Sequence, residues 1–209
     1  APPGERSVYS DLGFILLGII IERTTRQPLD AAWRANIANP LEAQPLDFVP
    51  STSTCAAVFG AGALVAPTEQ DAWRDRLVTG EVHDENAAAL GGVAGHAGLF
   101  GTADAVSRIG QWWLDVRNGR RQPELRTLAQ RFTTRVPAVE GSSRALGWDT
   151  PSEPSSSGRF FSPQSFGHLG FTGTSLWIDP EAELVVVLLT NRVHPTRAND
   201  RIKAVRPRV

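Results

Sequence analysis

The chain has 209 residues, of which 41% are hydrophobic, with 21 basic and 22 acidic residues and a formal net charge of −1. That apolar share is enough for the core of one large domain or two small ones, and the balanced, interleaved charge excludes the basic footprint that nucleic acid or an anionic membrane surface requires. Cys55 is the single cysteine, which excludes an internal disulfide framework; with no His, Asp or Glu at a useful spacing it reads as structural rather than reactive.

The opening Ala1-Pro2-Pro3-Gly4 has no Met, basic segment or signal-peptide core, so the sequence reads as beginning inside a longer protein, after a turn. Ser10-Asp11 then gives a capping signal, and Leu12, Ile15, Leu16, Ile19 and Ile20 repeat at helical spacing up to Arg26. The apolar run Leu12 to Ile21 is interrupted by Gly13 and Gly18 and is about half the twenty residues of a membrane span, which predicts a buried core helix. A shorter helix is expected over Leu29 to Ile37, closed by Asn39-Pro40. Leu41 to Ala66 has no clean period and reads as irregular, and a helical turn is expected over Asp71 to Leu77.

From Gly80 to Gly101 the chain is rich in glycine, suited to positive-φ turns or close backbone approach. Thr102 caps a helix carrying Ala105, Ile109, Trp112 and Trp113, which ends at Asn118-Gly119, and Pro123 opens another to about Phe132. Beyond Val136 the pattern turns to strands: Arg144 to Trp148, a polar loop from Pro151 to Gly158, then Phe166 to Ile178 and Glu183 to Leu189. Asp179-Pro180-Glu181-Ala182 makes the last two an antiparallel hairpin. The unalternating Val185 to Leu189 predicts a strand covered on both faces. A helix after Pro195 is expected to pack on that sheet, with the charged stretch Asn199 to Val209 helical until Pro207 limits it. No internal repeat is present.

Three features compete for chemistry. Tyr9-Ser10-Asp11 stands at a helix mouth, where the phenol could exchange a proton if nearby cations lowered its pKa of about 10, or could simply pack beside an N-cap; no such cation is adjacent in sequence. His83, Asp84 and His96 lie in the glycine-rich stretch, with His168 further on, but their spacing fits no metal-binding pattern. A Ser-His-Asp triad would be arbitrary, because no Gly-x-Ser-x-Gly elbow occurs. The third feature is Gly167-His168-Leu169-Gly170 entering a strand.

Together and in this order, Tyr9-Ser10-Asp11-Leu12-Gly13, Gly91-Gly92-Val93-Ala94-Gly95-His96-Ala97-Gly98 and His168-Leu169-Gly170-Phe171-Thr172-Gly173 resemble the serine β-lactamase and penicillin-binding-protein family. The likeness is to the branch holding class C β-lactamases, D-aminopeptidases and esterases. It spans essentially the whole chain. It implies an α/β (α+β) β-lactamase/transpeptidase-like fold, an antiparallel sheet flanked by helices. Residues 1–132 would form a mostly helical region and residues 133–209 the C-terminal strands and start of the terminal helix, both within one domain whose N-terminal part is missing.

By the same resemblance, Tyr9 and Asp11 match a Tyr-x-Asn motif, with Asp for Asn, and His168-Leu169-Gly170 match a Lys/His-Thr/Ser-Gly motif, with Leu169 where a hydroxyl is usual. The implied reaction is acyl transfer through an acyl-serine. The Phe171 backbone N–H would be one oxyanion donor, a group whose loss typically costs about 2.7–4 kcal/mol, and Leu169, Gly170, Thr172 and Gly173 would line the substrate. Leu169 and a mostly neutral His168 weaken the grip on a substrate carboxylate, favouring a neutral ester or unusual amide over penicillin.

No serine in the chain has a lysine three positions later, and the only lysine is Lys203. The Ser-x-x-Lys nucleophile segment is therefore expected upstream, making this chain inactive alone. The implied partner is a small-molecule or peptide substrate (ester, β-lactam or cell-wall peptide), with no cofactor, no metal and no nucleic acid. A periplasmic or secreted location follows by family analogy, a cytoplasmic one staying open, as does the oligomeric state. The alternative is a non-catalytic penicillin-binding-like protein that keeps the cleft without the chemistry. A metal-dependent hydrolase is a third reading, testable by stoichiometric zinc.

Overall fold

A computed structural model of the chain describes residue 2 and residues 4–209, so the turn expected at Pro2-Pro3-Gly4 lies partly outside the described residues. Helix α1 (Asp11–Thr25) begins after Ser10, whose backbone is extended as an N-cap's should be, although its side chain makes no capping hydrogen bond. The helix is not the buried core helix that its apolar run predicts. Leu12, Leu16, Leu17 and Ile20 are all more than half exposed, and Gly18 is its only buried residue. The cause lies in where the helix makes contact: Gly95 approaches backbone to backbone, so closely that a Cβ on it would stand 3.2 Å from the Gly18 nitrogen and collide with the Phe14 carbonyl oxygen. Contact through the glycine side leaves the leucine sides uncovered by described residues.

The chain divides into two compact units. The first, residues 10–106 and 191–199, continues with α2 (Leu29–Trp33), which runs on as a wider π turn over Arg34–Ala38, close to the helix expected there. The stretch expected to be irregular holds a short strand β1 (Leu46–Phe48) and a short helix α3 (Cys55–Phe59), whose cap is Thr54. The helical turn expected at Asp71 to Leu77 is instead a hairpin of β2 (Pro67–Asp71) and β3 (Arg76–Thr79). Asp71 forces it: its Oδ1 accepts from the N–H groups of Trp73 (2.7 Å) and Arg74 (3.1 Å), turning the chain back rather than on into a helix. The glycine-rich stretch contains α4 (Glu85–Ala89), capped by Asp84, and β4 (Leu99–Gly101), which pairs antiparallel with β1.

Helix α5 (Ala103–Arg117) starts where Thr102 Oγ1 accepts the Ala105 N–H at 3.2 Å. A T102A substitution is expected to lower stability by about 1 kcal/mol, read as a fall in the urea midpoint that T102S mostly restores. From Ser107 onward the residues belong to the second unit (residues 1–9, 107–190 and 200–209). Gly119, at φ +75°, ends α5 as the sequence predicts, and a 3₁₀ turn at Pro123–Leu125 leads into α6 (Arg126–Thr133).

The sheet of this unit is β5 (Phe166–Leu169), β6 (Ser175–Asp179) and β7 (Leu184–Leu188), antiparallel in that order. Phe166 to Ile178 is thus two strands, divided by a turn at residues 170–174. The β6–β7 hairpin forms where predicted, with Asp179 accepting from the N–H groups of Glu181 and Ala182 and from Ser162. Burial works to raise the Asp179 carboxyl, but these hydrogen bonds outweigh it and hold it below the usual range. The strand expected at Arg144 to Trp148 is a tight turn, closed by the Ala145 N–H on the Trp148 carbonyl (2.9 Å) with Gly147 at φ +84°.

Strand β7 is not covered on both faces, since Leu184 is 47% exposed and its other residues are half-buried; it lies at the edge of the three strands. The core beneath is Leu114, Phe166 and Ile178, with Trp113 and Trp148 packed edge-on. After Pro195 no helix starts until α7 (Ile202–Val205), followed by a 3₁₀ turn at Arg206–Arg208. The intervening backbone is held elsewhere: the Pro195 carbonyl accepts from Gln70 and the Arg197 N–H donates to Glu69. Among the described residues no helix is long and apolar enough to cross a membrane.

Candidate functional site

In the second unit, β5 carries His168, opposite Leu176 of β6. Its Nδ1 lies 2.9 Å from the Leu169 carbonyl oxygen and donates to it, which fixes the tautomer with Nε2 as the unprotonated nitrogen. Burial lowers the His168 pKa and the positive charge of Arg144 adds to that, against the opposing pull of the Leu169 carbonyl and Asp149. The imidazole is therefore neutral at neutral pH.

The half-exposed Tyr9 ring sits with its centroid 6.1 Å from that of His168, tilted by 48°. Arg144 brings its guanidinium carbon to 5.1 Å from the centre of the Tyr9 ring, and its Nη1 is 3.7 Å from Asp149 Oδ2. Sequence reasoning missed Arg144. The signal was available, since a phenol that works as a base needs a cation nearby, but the strand expected at this position drew attention away from its side chain.

The turn after β5 is braced from several sides. Gly170 donates to the Thr174 carbonyl at 2.8 Å and Gly173 to the Gly170 carbonyl at 3.1 Å. Arg206 Nη2 donates to the carbonyls of both Gly170 (2.7 Å) and Thr174 (2.8 Å), and Thr190 Oγ1 donates to that of Gly173 (2.6 Å). A Cβ on Gly170 would strike Thr174 Oγ1, and Gly173 holds φ +115°. Phe171 and Thr172 are thereby set at the tip of a rigid turn, Phe171 59% exposed, with Leu169 at the strand end beside them. The structure therefore joins Tyr9, His168, Leu169, Gly170, Phe171, Thr172 and Gly173 in one unit. Asp11 opens α1 and belongs to the other.

In that other unit two histidines are paired with carboxylates: His83 Nε2 is 2.6 Å from Glu69 Oε2, and His96 Nε2 is 2.7 Å from Asp84 Oδ1. Among the described residues no three His, Cys, Asp or Glu side chains converge as a metal site would need. A groove of about 850 Å³ there is lined by Cys55, Trp73, Arg74 and Arg76 among others; of the motif stretches only Gly92 reaches it, and neither Tyr9 nor the His168 to Gly173 segment does.

Residues 1–208 match the family model described as Beta-lactamase. The chain is 35% identical over 217 residues to proteins of Salmonella agona and Salmonella newport named "Putative D-alanyl-D-alanine carboxypeptidase", covering 96% of this chain and 48% of each of theirs. It thus spans about half the length of these curated relatives. Solved structures with a similar fold include a β-lactamase from Mycobacterium bovis (21% identity, TM-score 0.63, all of this chain and 65% of that one). Simvastatin synthase from Aspergillus terreus (17%, 0.64, 98% and 54%) and a penicillin-binding protein from Bacillus halodurans (18%, 0.61, 91% and 53%) share it too. Mixed helices and antiparallel strands, the sequence match along nearly its whole length and the shared fold agree: the chain belongs to the β-lactamase family of serine hydrolases.

Proposed function

We propose that this chain is the part of a serine hydrolase that follows its nucleophile segment, and that the parent protein cleaves an ester or an amide or peptide bond through an acyl-serine. The observation that carries the reading is the meeting of Tyr9 and His168 beside the braced 170–174 turn in a chain matched to the family over residues 1–208. A serine Oγ attacks the substrate carbonyl as its proton passes toward Tyr9, and the proton then goes to the leaving group. Water repeats the sequence on the ester so formed and releases the acid. The Phe171 N–H is the proposed oxyanion donor, and Leu169, Gly170, Thr172 and Gly173 flank the acyl group.

The relatives' name points to a D-alanyl peptide, whereas Leu169 and the neutral His168 offer little to a carboxylate and favour a less charged ester or amide. A periplasmic or secreted site of action follows from the family. A non-catalytic binding role is the second reading, favoured by Asp11 and Leu169 standing where an amide and a hydroxyl are usual.

A fluorophosphonate or fluorescent penicillin probe is expected to leave this 209-residue chain unlabelled and to label the longer parent at a serine followed three positions later by lysine. Labelling of this chain at a serine would overturn the first half, and an unlabelled, intact parent the second.

A further inference from the structure

Arg144 is held from both sides of its backbone. Its carbonyl accepts the Val136 N–H at 2.8 Å, its own N–H reaches Ser142 Oγ at 3.3 Å, and it bridges to Asp149, which in turn bridges to Gly167 of β5. From this fixed base the guanidinium reaches the face of the Tyr9 ring, 5.1 Å from its centre. The titratable groups seen at that ring among the described residues include Arg144 from the turn, His168 from β5 and, behind Arg144, Asp149. Of the two basic side chains, only the guanidinium is charged throughout the range in which a phenol titrates. The ion pair with Asp149 is long and the Arg144 side chain 40% exposed, so Asp149 offsets the charge only in part.

We propose that Arg144 is a positioning residue that sets the proton affinity of Tyr9, its guanidinium over the ring stabilising the phenolate and making Tyr9 a proton acceptor at a lower pH than a free tyrosine. The physical reason is the redistribution of charge on ionisation. A neutral phenol offers a cation only the quadrupole of its ring, whereas a phenolate spreads a full negative charge into the same ring, so the attraction grows when the proton leaves. The guanidinium thereby supplies the positive charge that the half-buried, neutral His168 does not. The inference rests on the proposed function for its purpose, since Tyr9 is the proton carrier there, but not for its test.

Tyr9 is the only tyrosine of the chain, so the ultraviolet tyrosinate band reports on this one residue, without any substrate or nucleophile. In the wild-type chain the midpoint is expected below the free-tyrosine value of about 10. R144Q should raise it by roughly one pH unit, the low end of what an opposite charge at this distance does, and R144K should restore most of the difference. Raising the ionic strength should move the wild-type midpoint upward and leave that of R144Q nearly still.

Circular dichroism over the same pH range establishes that each form is folded. If R144Q does not fold, the salt series on the wild-type chain decides alone, and a midpoint indifferent to salt overturns the inference. Coincident titrations of folded R144Q and wild type overturn it as well. A parent protein that proves active while those titrations coincide rejects the role of Arg144 alone; an inactive parent whose Tyr9 midpoint moves with Arg144 rejects the hydrolase reading alone.

Discussion

Arg197→Met is expected to destabilise the chain by about 2 kcal/mol at neutral pH, the range for leaving a buried charged acceptor without its partner when that partner, Arg197, is itself 42% exposed. Glu69 on β2 is 6% exposed. Its Oε1 accepts the Arg197 backbone N–H (2.8 Å) and Nε (3.1 Å), while its Oε2 lies 2.9 Å from Nε and 2.6 Å from His83 Nε2. Methionine keeps the length and the backbone N–H but leaves a buried carboxylate without its cation. The side-chain hydrogen bond from Arg197 is the main influence on Glu69; burial opposes it, His83 reinforces it, and the carboxyl is held at about 2 instead of 4.5.

The pH dependence follows from that direction. The unfolded chain binds this proton near pH 4.5 and the folded one only near 2, so the stabilisation is fully present above about pH 4.5 and is lost as the pH falls toward 2. Urea unfolding of the wild type should weaken across that window, and the loss should be smaller in Arg197→Met by the share that Glu69 contributes, on the order of 2–3 kcal/mol. Equal urea midpoints for the two proteins at pH 7 would show that the contact contributes nothing.

Gly95→Ala is the other large effect. The atom its methyl would strike is the Phe14 carbonyl oxygen within α1, with the Gly18 nitrogen 3.2 Å away on the next turn. Neither is the movable end of a side chain, so α1 and the glycine-rich loop must part. A loss of at least about 2 kcal/mol is expected, a fall of several degrees in Tm for a chain of this size. Gly13→Ala is the matched control: a Cβ there meets nothing within 4 Å, and alanine should favour the helix by up to about 1 kcal/mol. If the two variants melt alike, the close approach does not limit stability.

What could be read from the sequence was what neighbours in the chain determine. Thr102 and Gly119 bound α5 because a cap and a positive-φ stop are local devices, and the β6–β7 hairpin formed where Asp179-Pro180-Glu181-Ala182 asked for it. Tyr9 and His168 could be nominated from short motifs, and they do share one unit. Features that depend on partners far along the chain were hidden. Glu69 looks like a surface acid until Arg197 covers it, and Asp71 to Leu77 looks helical until the Asp71 side chain is seen taking up the turn's own N–H groups. For Arg144 the sequence signalled only that a cation was needed near the phenol; which cation it was depended on a ring far away in the chain. The burial expected of α1 failed differently, because an apolar helix records what it could bury, not what the chain brings to it.

That uncovered helix bears on how the chain responds to temperature. Most of the heat capacity gained on unfolding comes from apolar surface newly meeting water. All the leucines and isoleucines of α1 except the half-buried Ile15 already meet it when folded, with Leu12 68% and Leu16 59% exposed. Their share of the usual increment of about 12–15 cal/mol/K per residue is missing before unfolding starts. The stability curve of this chain should therefore be flatter than its length implies, changing little on cooling, where a fully covered fold of the same size would lose hydrophobic driving force.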